Sequence, residues 1–78
     1  MHHPPLPFDD VLARRRDIGT RIRATRLHAN LTQEAVALRA DIRIATYSRI
    51  ENGHASPVLD TLIRIAHALD VPLSELVR

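Results

Sequence analysis

Apolar residues recur at helical spacing through most of this chain, and short breaks divide them into separate segments. The most regular stripe shares one helix face and consists of Leu59, Leu62, Ile65, Ala66 and Leu69. The breaks contain residues that tolerate a left-handed backbone or stop a helix, and they lie at Asn30, Ala40–Ile42, Asn52–Gly53 and Asp70–Pro72. Strand-type alternation is absent from the sequence. The pattern predicts an all-α protein of five short helices.

The N-terminal segment differs from the rest of the chain. Residues 1–8 contain three of the five prolines, which is typical of a flexible leader. Residues 9–78 are predicted to form one domain. The first helix begins near Asp9, where an acidic side chain suits the positive helix end, or only near Asp17. The sequence leaves both starts open.

Composition limits the functions open to the chain. Of the 78 residues 45% are hydrophobic but only 3% are aromatic, so we expect an aliphatic core with little room for a small-molecule pocket. The chain has no cysteine, and of its five histidines His28, His54 and His67 stand far apart without ligand spacing. We therefore expect neither a disulfide nor a metal site. No catalytic set or glycine-rich phosphate loop is recognisable, so we expect no enzymatic activity and no cofactor.

The sequence contains no targeting or membrane signal. No apolar run approaches the roughly 20 residues of a transmembrane helix, and the N-terminus lacks the basic and apolar regions of a signal peptide. We therefore expect a cytoplasmic protein with no membrane partner.

Positive charge is concentrated in the first two-thirds of the chain. Between Arg14 and Arg49 there are nine arginines and three acidic residues, whereas the segment after His54 is nearly neutral. This asymmetry indicates a polyanionic partner. Every basic residue is Arg, which suits phosphate and guanine contacts but also follows from a GC-rich genome. The Arg14–Arg16 run is either a basic arm that reaches flanking DNA or a solvated helix surface.

Two short helices joined by a tight turn lie at the C-terminal end of this basic segment. They are predicted over Thr32–Ala40, with the Thr32 hydroxyl as the N-cap, and over about Arg43–Glu51. In a helix-turn-helix the first helix crosses the DNA backbone and the second lies in the major groove. On spacing alone, any small helical bundle fits equally well.

Sequence motifs favour the first interpretation. They are Ile18-Gly19 with Ile22-Arg23 and Arg26, then Leu31-Thr32-Gln33-Glu34, Tyr47-Ser48-Arg49-Ile50-Glu51-Asn52-Gly53, Pro57 with Leu59 and Thr61-Leu62, and Ala66 with Ala68-Leu69 and Val71. Over about Ile18–Leu76, some three-quarters of the chain, they closely resemble the Cro/phage-repressor (XRE) family of transcription regulators. The resemblance implies a compact five-helix, lambda-repressor-like DNA-binding domain.

The resemblance also implies site residues. The positions that face bases in the family are held by Arg43, Ile44, Ala45 and Arg49, of which the two arginines suit guanine. Ile44 is alternatively a core residue. Phosphate contacts are implied for Gln33, at the start of the second helix, and for Thr46, Ser48 and Asn52. Arg26 and Glu51 match a structural ion pair between the first and third helices.

The chain departs from the family pattern around the helix starts. Asp41 replaces the usual turn glycine, and Asp tolerates the left-handed conformation better than most residues. Arg43 replaces a capping Ser or Thr. The second helix of the helix-turn-helix, which we call the reading helix, could instead be capped by Asp41. Val58 replaces a serine, which moves the predicted cap of the fourth helix to Ser56.

The sequence supports a homodimeric repressor or autoregulator that binds double-stranded DNA at an inverted repeat. Leu73, Leu76 and Val77 are predicted to form the self-complementary dimer patch, unless the core absorbs them. One alternative is an antitoxin that binds a toxin protein, with the Pro-rich leader as a candidate contact, and represses its own operon. Another is a protein-interaction module without DNA binding, which the arginines on the reading face argue against.

Overall fold

The computed structural model of this protein describes residues 7–78, with side chains from Asp10 onward. This part of the chain contains five helices: α1 (Pro7–His28), α2 (Gln33–Ala40), α3 (Ile44–Glu51), α4 (Leu59–Ala68) and α5 (Leu73–Val77). Residues 7–78 include no β-strand. The prediction of an all-α protein with five helices is confirmed.

α1 begins earlier than either predicted start. It begins at Pro7 and extends over 22 residues to His28. Proline is favourable in a first helical turn, because its missing N–H has no intrahelical partner there. The predicted leader boundary at residue 8 therefore lies inside α1, and the rest of the leader, residues 1–6, lies outside the described residues.

The two ends of α2 are fixed by residues that the sequence singled out. The Thr32 hydroxyl accepts a hydrogen bond from the Ala35 N–H at 3.1 Å, so Thr32 is the predicted N-cap of α2. Asp41 ends the same helix in the left-handed conformation, with φ at 57°. The reading helix then begins at Ile44, which leaves Arg43 as an N-cap residue without a side-chain cap. Capping of α3 by Asp41 is not observed.

The start of α4 differs from the prediction. α4 begins at Leu59, and its N-cap residue Val58 makes no side-chain cap hydrogen bond. The predicted cap at Ser56 is wrong, because the chain stays extended at Val58, with ψ at 159°. Leu59, the first member of the predicted apolar stripe, is 61% exposed and lies outside the core.

The core is aliphatic apart from one tyrosine, as the composition indicated. α2 packs against α3 and α4, and α1 packs against α3 and α5. The buried apolar residues are Ile22, Val36, Ala37, Ala40, Tyr47, Ile50, Ile65, Ala66, Leu69 and Leu76. Each helix therefore contributes at least one residue to a common core, which fixes α2 and α3 relative to each other.

α1 and α3 approach each other closely at Gly19. A Cβ atom there would lie 2.5 Å from the carbonyl oxygen of Glu51 and 2.6 Å from that of Ile50. Both neighbours are backbone atoms and cannot rotate away. A glycine is therefore needed here to let α1 pass the C-terminal turn of α3.

Residues 7–78 lack the features of two other kinds of site. Within residues 7–78, no helix is long and apolar enough to span a membrane. The same residues contain no cluster of three or more His, Cys, Asp or Glu side chains suited to a metal ion.

Candidate nucleic-acid interface

α2 and α3 are joined by a three-residue turn that is fixed by backbone hydrogen bonds. The Asp41 N–H donates to the Leu38 carbonyl at 3.2 Å, and the Ile42 N–H donates to the Ala37 carbonyl at 3.0 Å. The left-handed Asp41 makes both bonds possible, because it turns the chain back over the last turn of α2. α3 therefore leaves α2 at a defined angle.

One face of α3 is buried and the other is exposed. Tyr47 and Ile50 anchor the helix in the core, with 0% and 3% exposure. The exposed residues include most of the predicted site: Arg43, Ile44, Ala45, Thr46, Arg49 and Asn52. Ser48 is half-buried. Ile44 is 40% exposed, so its core alternative is wrong and it lies on the solvent side of α3.

The N-terminal end of α3 carries uncompensated positive charge. Its first turn contains no acidic residue, and its N-cap position is held by Arg43, whose side chain makes no cap hydrogen bond. A helix N-terminus already has a partial positive charge from its free N–H groups. An arginine there is unfavourable unless an anion approaches, so this end of α3 favours a phosphate or an acceptor-rich base edge.

The predicted ion pair lies beneath this surface. Arg26 Nε donates to Glu51 Oε2 at 2.7 Å, and Arg26 Nη2 donates to Glu51 Oε1 at 3.1 Å. Arg26 Nη1 also donates to the Leu31 carbonyl at 2.9 Å. The two side chains are nearly buried, with 10% and 1% exposure. Arg26 thus links α1 both to the loop before α2 and to the end of α3.

The pKa of Glu51 reflects a competition within this cluster. Burial alone would raise the pKa of its carboxyl group, but hydrogen bonding by Arg26 and Gln33 outweighs burial and holds the pKa below its ordinary value. The hydrogen bond to Glu51 raises the pKa of Arg26. Burial, together with the nearby Glu51 carboxylate, raises the pKa of Tyr47. Its hydroxyl forms no hydrogen bond with the described residues. At neutral pH the cluster therefore contains one paired carboxylate and one paired guanidinium.

Gln33 makes a contact that the sequence did not predict. Its Nε2 donates to Glu51 Oε1 at 3.1 Å, so its side chain links α2 to α3. This bond uses one of the two amide hydrogens and leaves the other for an external acceptor. The phosphate contact of Gln33 stays a prediction. Its structural role follows from the position one residue beyond the α2 cap, facing the end of α3.

Arg49 lies at the opposite end of α3 from Arg43. Its Nη2 donates to the His54 carbonyl at 3.1 Å, in the loop after the helix. In helix-turn-helix proteins the N-terminal residues of the second helix contact base edges. Arg43 lies at the end of α3 that corresponds to this N-terminal part, while Arg49 and Asn52 lie near its C-terminus.

The Arg14–Arg16 run does not form one continuous surface. Arg14 Nη2 donates to the carbonyls of Val77 at 2.9 Å and Arg78 at 3.2 Å. Arg15 is half-buried in a small apolar pocket with Ile18 and Leu62. Arg16 packs beside Gly53, where an added Cβ would lie 2.8 Å from Arg16 Cγ. Each of the three side chains therefore has a different neighbour.

The predicted dimer patch is only partly on the surface. Leu76 has 0% exposure and belongs to the core of the single chain. The prediction that Leu76 forms the dimer interface is therefore wrong, because α5 needs this side chain to attach to the body. Leu73 and Val77 are half-buried and pack against the same core, and their contact with a second copy stays a prediction.

Two residues that matter to this site were missed or undervalued from the sequence. Gly19 sets the distance between α1 and α3, and Gln33 links α2 to Glu51. A signal was present only for Gly19, because glycine inside a helix costs about 1 kcal/mol relative to alanine and indicates a close approach.

Two short packed helices with a tight turn, the second with an exposed face that carries Arg43 and Arg49, define a helix-turn-helix domain. The protein belongs to the helix-turn-helix family, whose model matches residues 22–76. The resemblance to XRE-type regulators and the lambda-repressor-like fold are thereby confirmed, and the protein is of the DNA-binding transcription-regulator class.

Two solved structures share this fold. The restriction-modification controller protein C.AhdI from Aeromonas hydrophila has a TM-score of 0.81 and 28% sequence identity, over 82% of this chain and 97% of that one. The clp gene regulator ClgR from C. glutamicum has a TM-score of 0.77 and 20% identity, over 94% of this chain and 86% of that one. The likeness to ClgR shows the fold alone. A search of curated proteins found no match.

Proposed function

We propose that this protein is a sequence-specific repressor or autoregulator of transcription that binds an inverted-repeat DNA site as a homodimer. α3 lies in the major groove, with Arg43, Ile44 and Ala45 at the base edges. Thr46, Ser48 and Asn52 contact phosphates, Arg49 reaches a base or phosphate from the last turn, and Gln33 contacts a phosphate at the start of α2. The function is binding without catalysis or cofactor.

The positive N-terminal end of α3 carries this proposal. Arg43 is exposed, makes no cap hydrogen bond and stands at a helix end without an acidic neighbour in its first turn. A bidentate contact of an arginine with guanine O6 and N7 contributes about 1–3 kcal/mol of base discrimination. The likeness to a restriction-modification controller protein, over nearly all of that chain, supports a regulatory role.

The proposal of a homodimer rests on the geometry of helix-turn-helix binding sites in DNA. A single short reading helix contacts few base pairs, and two copies related by a two-fold axis read two half-sites about 34 Å apart. An inverted repeat is the DNA counterpart of that symmetry. We infer repression because a protein bound at such a site excludes other proteins from the same stretch of DNA.

Selection of bound sequences from random duplex DNA, at about 150 mM salt, tests the proposal. We expect enrichment of an inverted repeat with half-sites about ten base pairs apart. Arg43→Ala should relax the preference at one base pair of each half-site. Arg64→Ala is the matched control, because it removes an exposed arginine from α4, outside the helix-turn-helix.

The two variants separate specific from unspecific binding. If Arg43→Ala and Arg64→Ala weaken binding equally and leave the preferred sequence unchanged, α3 does not read the site through Arg43. If no sequence is enriched by the protein, sequence-specific binding by the protein alone is refuted.

A further inference from the structure

The N-terminal turns of α1 carry two exposed apolar residues beyond the part of the helix that is covered. Ile22 is buried and Ile18 packs against the core. Going towards the N-terminus, the same face continues at Arg15 and Val11, in steps of three and four residues. Val11 on this face is 57% exposed, and its neighbour Leu12 is 36% exposed. These two residues therefore leave apolar surface exposed in the single chain.

Along α1, contacts with the other helices end near Arg14. Arg14 hydrogen-bonds the carbonyls of Val77 and Arg78, at the end of α5. Residues 7–13, which we call the α1 arm, lie beyond this contact and extend for about 10 Å at 1.5 Å per residue. An isolated helix end of two turns has little stability of its own in water. Exposed apolar residues on the α1 arm would therefore be stabilised by packing against a partner.

The charge pattern of the α1 arm identifies the partner. Asp9 and Asp10 precede the apolar residues Val11–Ala13, and Arg14–Arg16 follow them. When two copies align antiparallel around Leu12, the acidic end of each faces the basic end of the other. Parallel alignment instead places arginines against arginines. The segment is therefore complementary to itself in one orientation, which is what a two-fold interface requires.

Arg15 provides an independent observation. Its Nε is buried and forms no hydrogen bond with the described residues. No acidic group lies within 4 Å of its guanidinium in residues 10–78. Arg15 also lines an apolar pocket with Ile18, Pro57 and Leu62, at the point where the α1 arm joins the body. In an antiparallel pair, the N-terminal end of the second copy approaches this pocket, and its carboxylates approach this arginine.

We infer that the α1 arm is the dimer interface, in which Val11 and Leu12 of two copies of this chain pack antiparallel and their acidic and basic ends pair. The inference deepens the proposed homodimer and assigns the contact to a surface other than the predicted α5 patch. The arm precedes residues 22–76, the part matched by the helix-turn-helix family model. The interface is small, so DNA with two half-sites reinforces a weak dimer.

The first test measures the mass of the full chain in solution by sedimentation equilibrium, over a wide concentration range and without DNA. We expect a reversible dimer. Val11→Asp should shift it to the monomer mass, and so should the double variant Asp9→Arg, Asp10→Arg. Leu38→Asp is the matched control, because Leu38 is an 82% exposed leucine on α2, away from the arm. Circular dichroism shows whether each variant keeps its helices.

Cysteine cross-linking supplies a readout that does not depend on a destabilised variant. The chain has no cysteine, so Leu12→Cys introduces a unique thiol near the proposed two-fold axis. The Cα atoms of the two introduced cysteines should then lie roughly 4.4–6.8 Å apart, the separation that a disulfide allows. We expect rapid formation of a covalent dimer by Leu12→Cys and none by Leu38→Cys.

The outcomes separate this inference from the proposed function. A dimer that survives Val11→Asp and does not cross-link through Leu12→Cys overturns the α1 arm and leaves the homodimer intact. A dimer that is lost only in the double variant Leu59→Ser, Ile63→Ser, on the exposed face of α4, also overturns the α1 arm and leaves the homodimer intact. A chain that stays monomeric at every concentration overturns the arm and the free homodimer together. The DNA selection decides sequence-specific binding independently of these results.

Discussion

Arg26 in α1 and Glu51 at the end of α3 form a bidentate ion pair, with nitrogen–oxygen distances of 2.7 and 3.1 Å. The pair is almost fully removed from solvent. Because Gln33 donates to the same carboxylate, the pair also reaches α2. The angle of α3 therefore depends on a few polar atoms beneath its exposed face, and of these Arg26 and Glu51 can be changed without altering a residue proposed to contact DNA.

Loss of one partner of this pair should cost far more than loss of both. Arg26→Met leaves the Glu51 carboxylate buried with only Gln33 as a neutral donor, and we expect a loss of about 3–5 kcal/mol in the free energy of unfolding. The double variant Arg26→Met, Glu51→Leu should recover much of this loss, since no buried charge remains. Urea denaturation measures both values. Equal destabilisation by the single and double variants would contradict the buried charge as the cause.

Glu51 should make the stability of the protein depend on acid pH. Its pKa in the folded state lies below the ordinary value of 4.5, so its contribution is fully present above that value. The contribution is lost as the pH falls through the lowered folded pKa. We expect the difference in unfolding free energy between wild type and Glu51→Gln to be large at neutral pH and to shrink as the carboxylate is protonated. A difference that stays constant with pH would show that the charge of Glu51 is not the cause.

Gly19→Ala should separate α1 from α3. The new Cβ meets the carbonyl oxygens of Glu51 and Ile50 at 2.5 and 2.6 Å, and both are backbone atoms. Overpacking of this kind costs about 1–3 kcal/mol, even though alanine is the better helix former. Thr20→Ala, at an exposed position of the same helix, is the control and should change the stability by less than about 0.5 kcal/mol. Thermal unfolding compares the two variants, and equal melting temperatures would refute the close contact.

Asp41→Gly should stabilise the turn of the helix-turn-helix. Asp41 is exposed and adopts φ at 57°, and the left-handed conformation costs an ordinary L-residue roughly 1–2 kcal/mol. Glycine avoids that cost but has a more flexible unfolded chain, so we expect a net gain of up to about 1 kcal/mol. Asp41→Ala keeps the strain, lacks the polar side chain that tolerates it and should destabilise the protein. Opposite signs for the two variants in chemical denaturation are the expected result.

Local backbone chemistry made much of this fold predictable. Asn30 and Asp41 were identified as helix breaks from their tolerance of the left-handed conformation, and both have positive φ, at 58° and 57°. Thr32 was identified as a cap from its hydroxyl and its place before a helical stripe, and it caps α2. The Arg26–Glu51 pair followed from the family resemblance, which transferred a contact between residues 25 positions apart.

The failures have a common physical cause. Leu59 and Leu76 are both leucines on helical stripes, yet one is 61% exposed and the other fully buried. Helical spacing gives the face on which a side chain lies, but another helix must cover that face to bury it. The start of α4 was misplaced for a related reason, since Ser56 and Pro57 are compatible with a helix start but the extended chain continues to Val58.

The sequence by itself determined the helices, their breaks, the basic half and the family, because these depend on residues close together in the chain. Only the tertiary structure decided that Gln33 donates to Glu51, that Gly19 sets the spacing of α1 and α3, and that Val11 remains uncovered. These properties depend on distances between helices. Such distances result from the packing of the whole core, which no local pattern specifies.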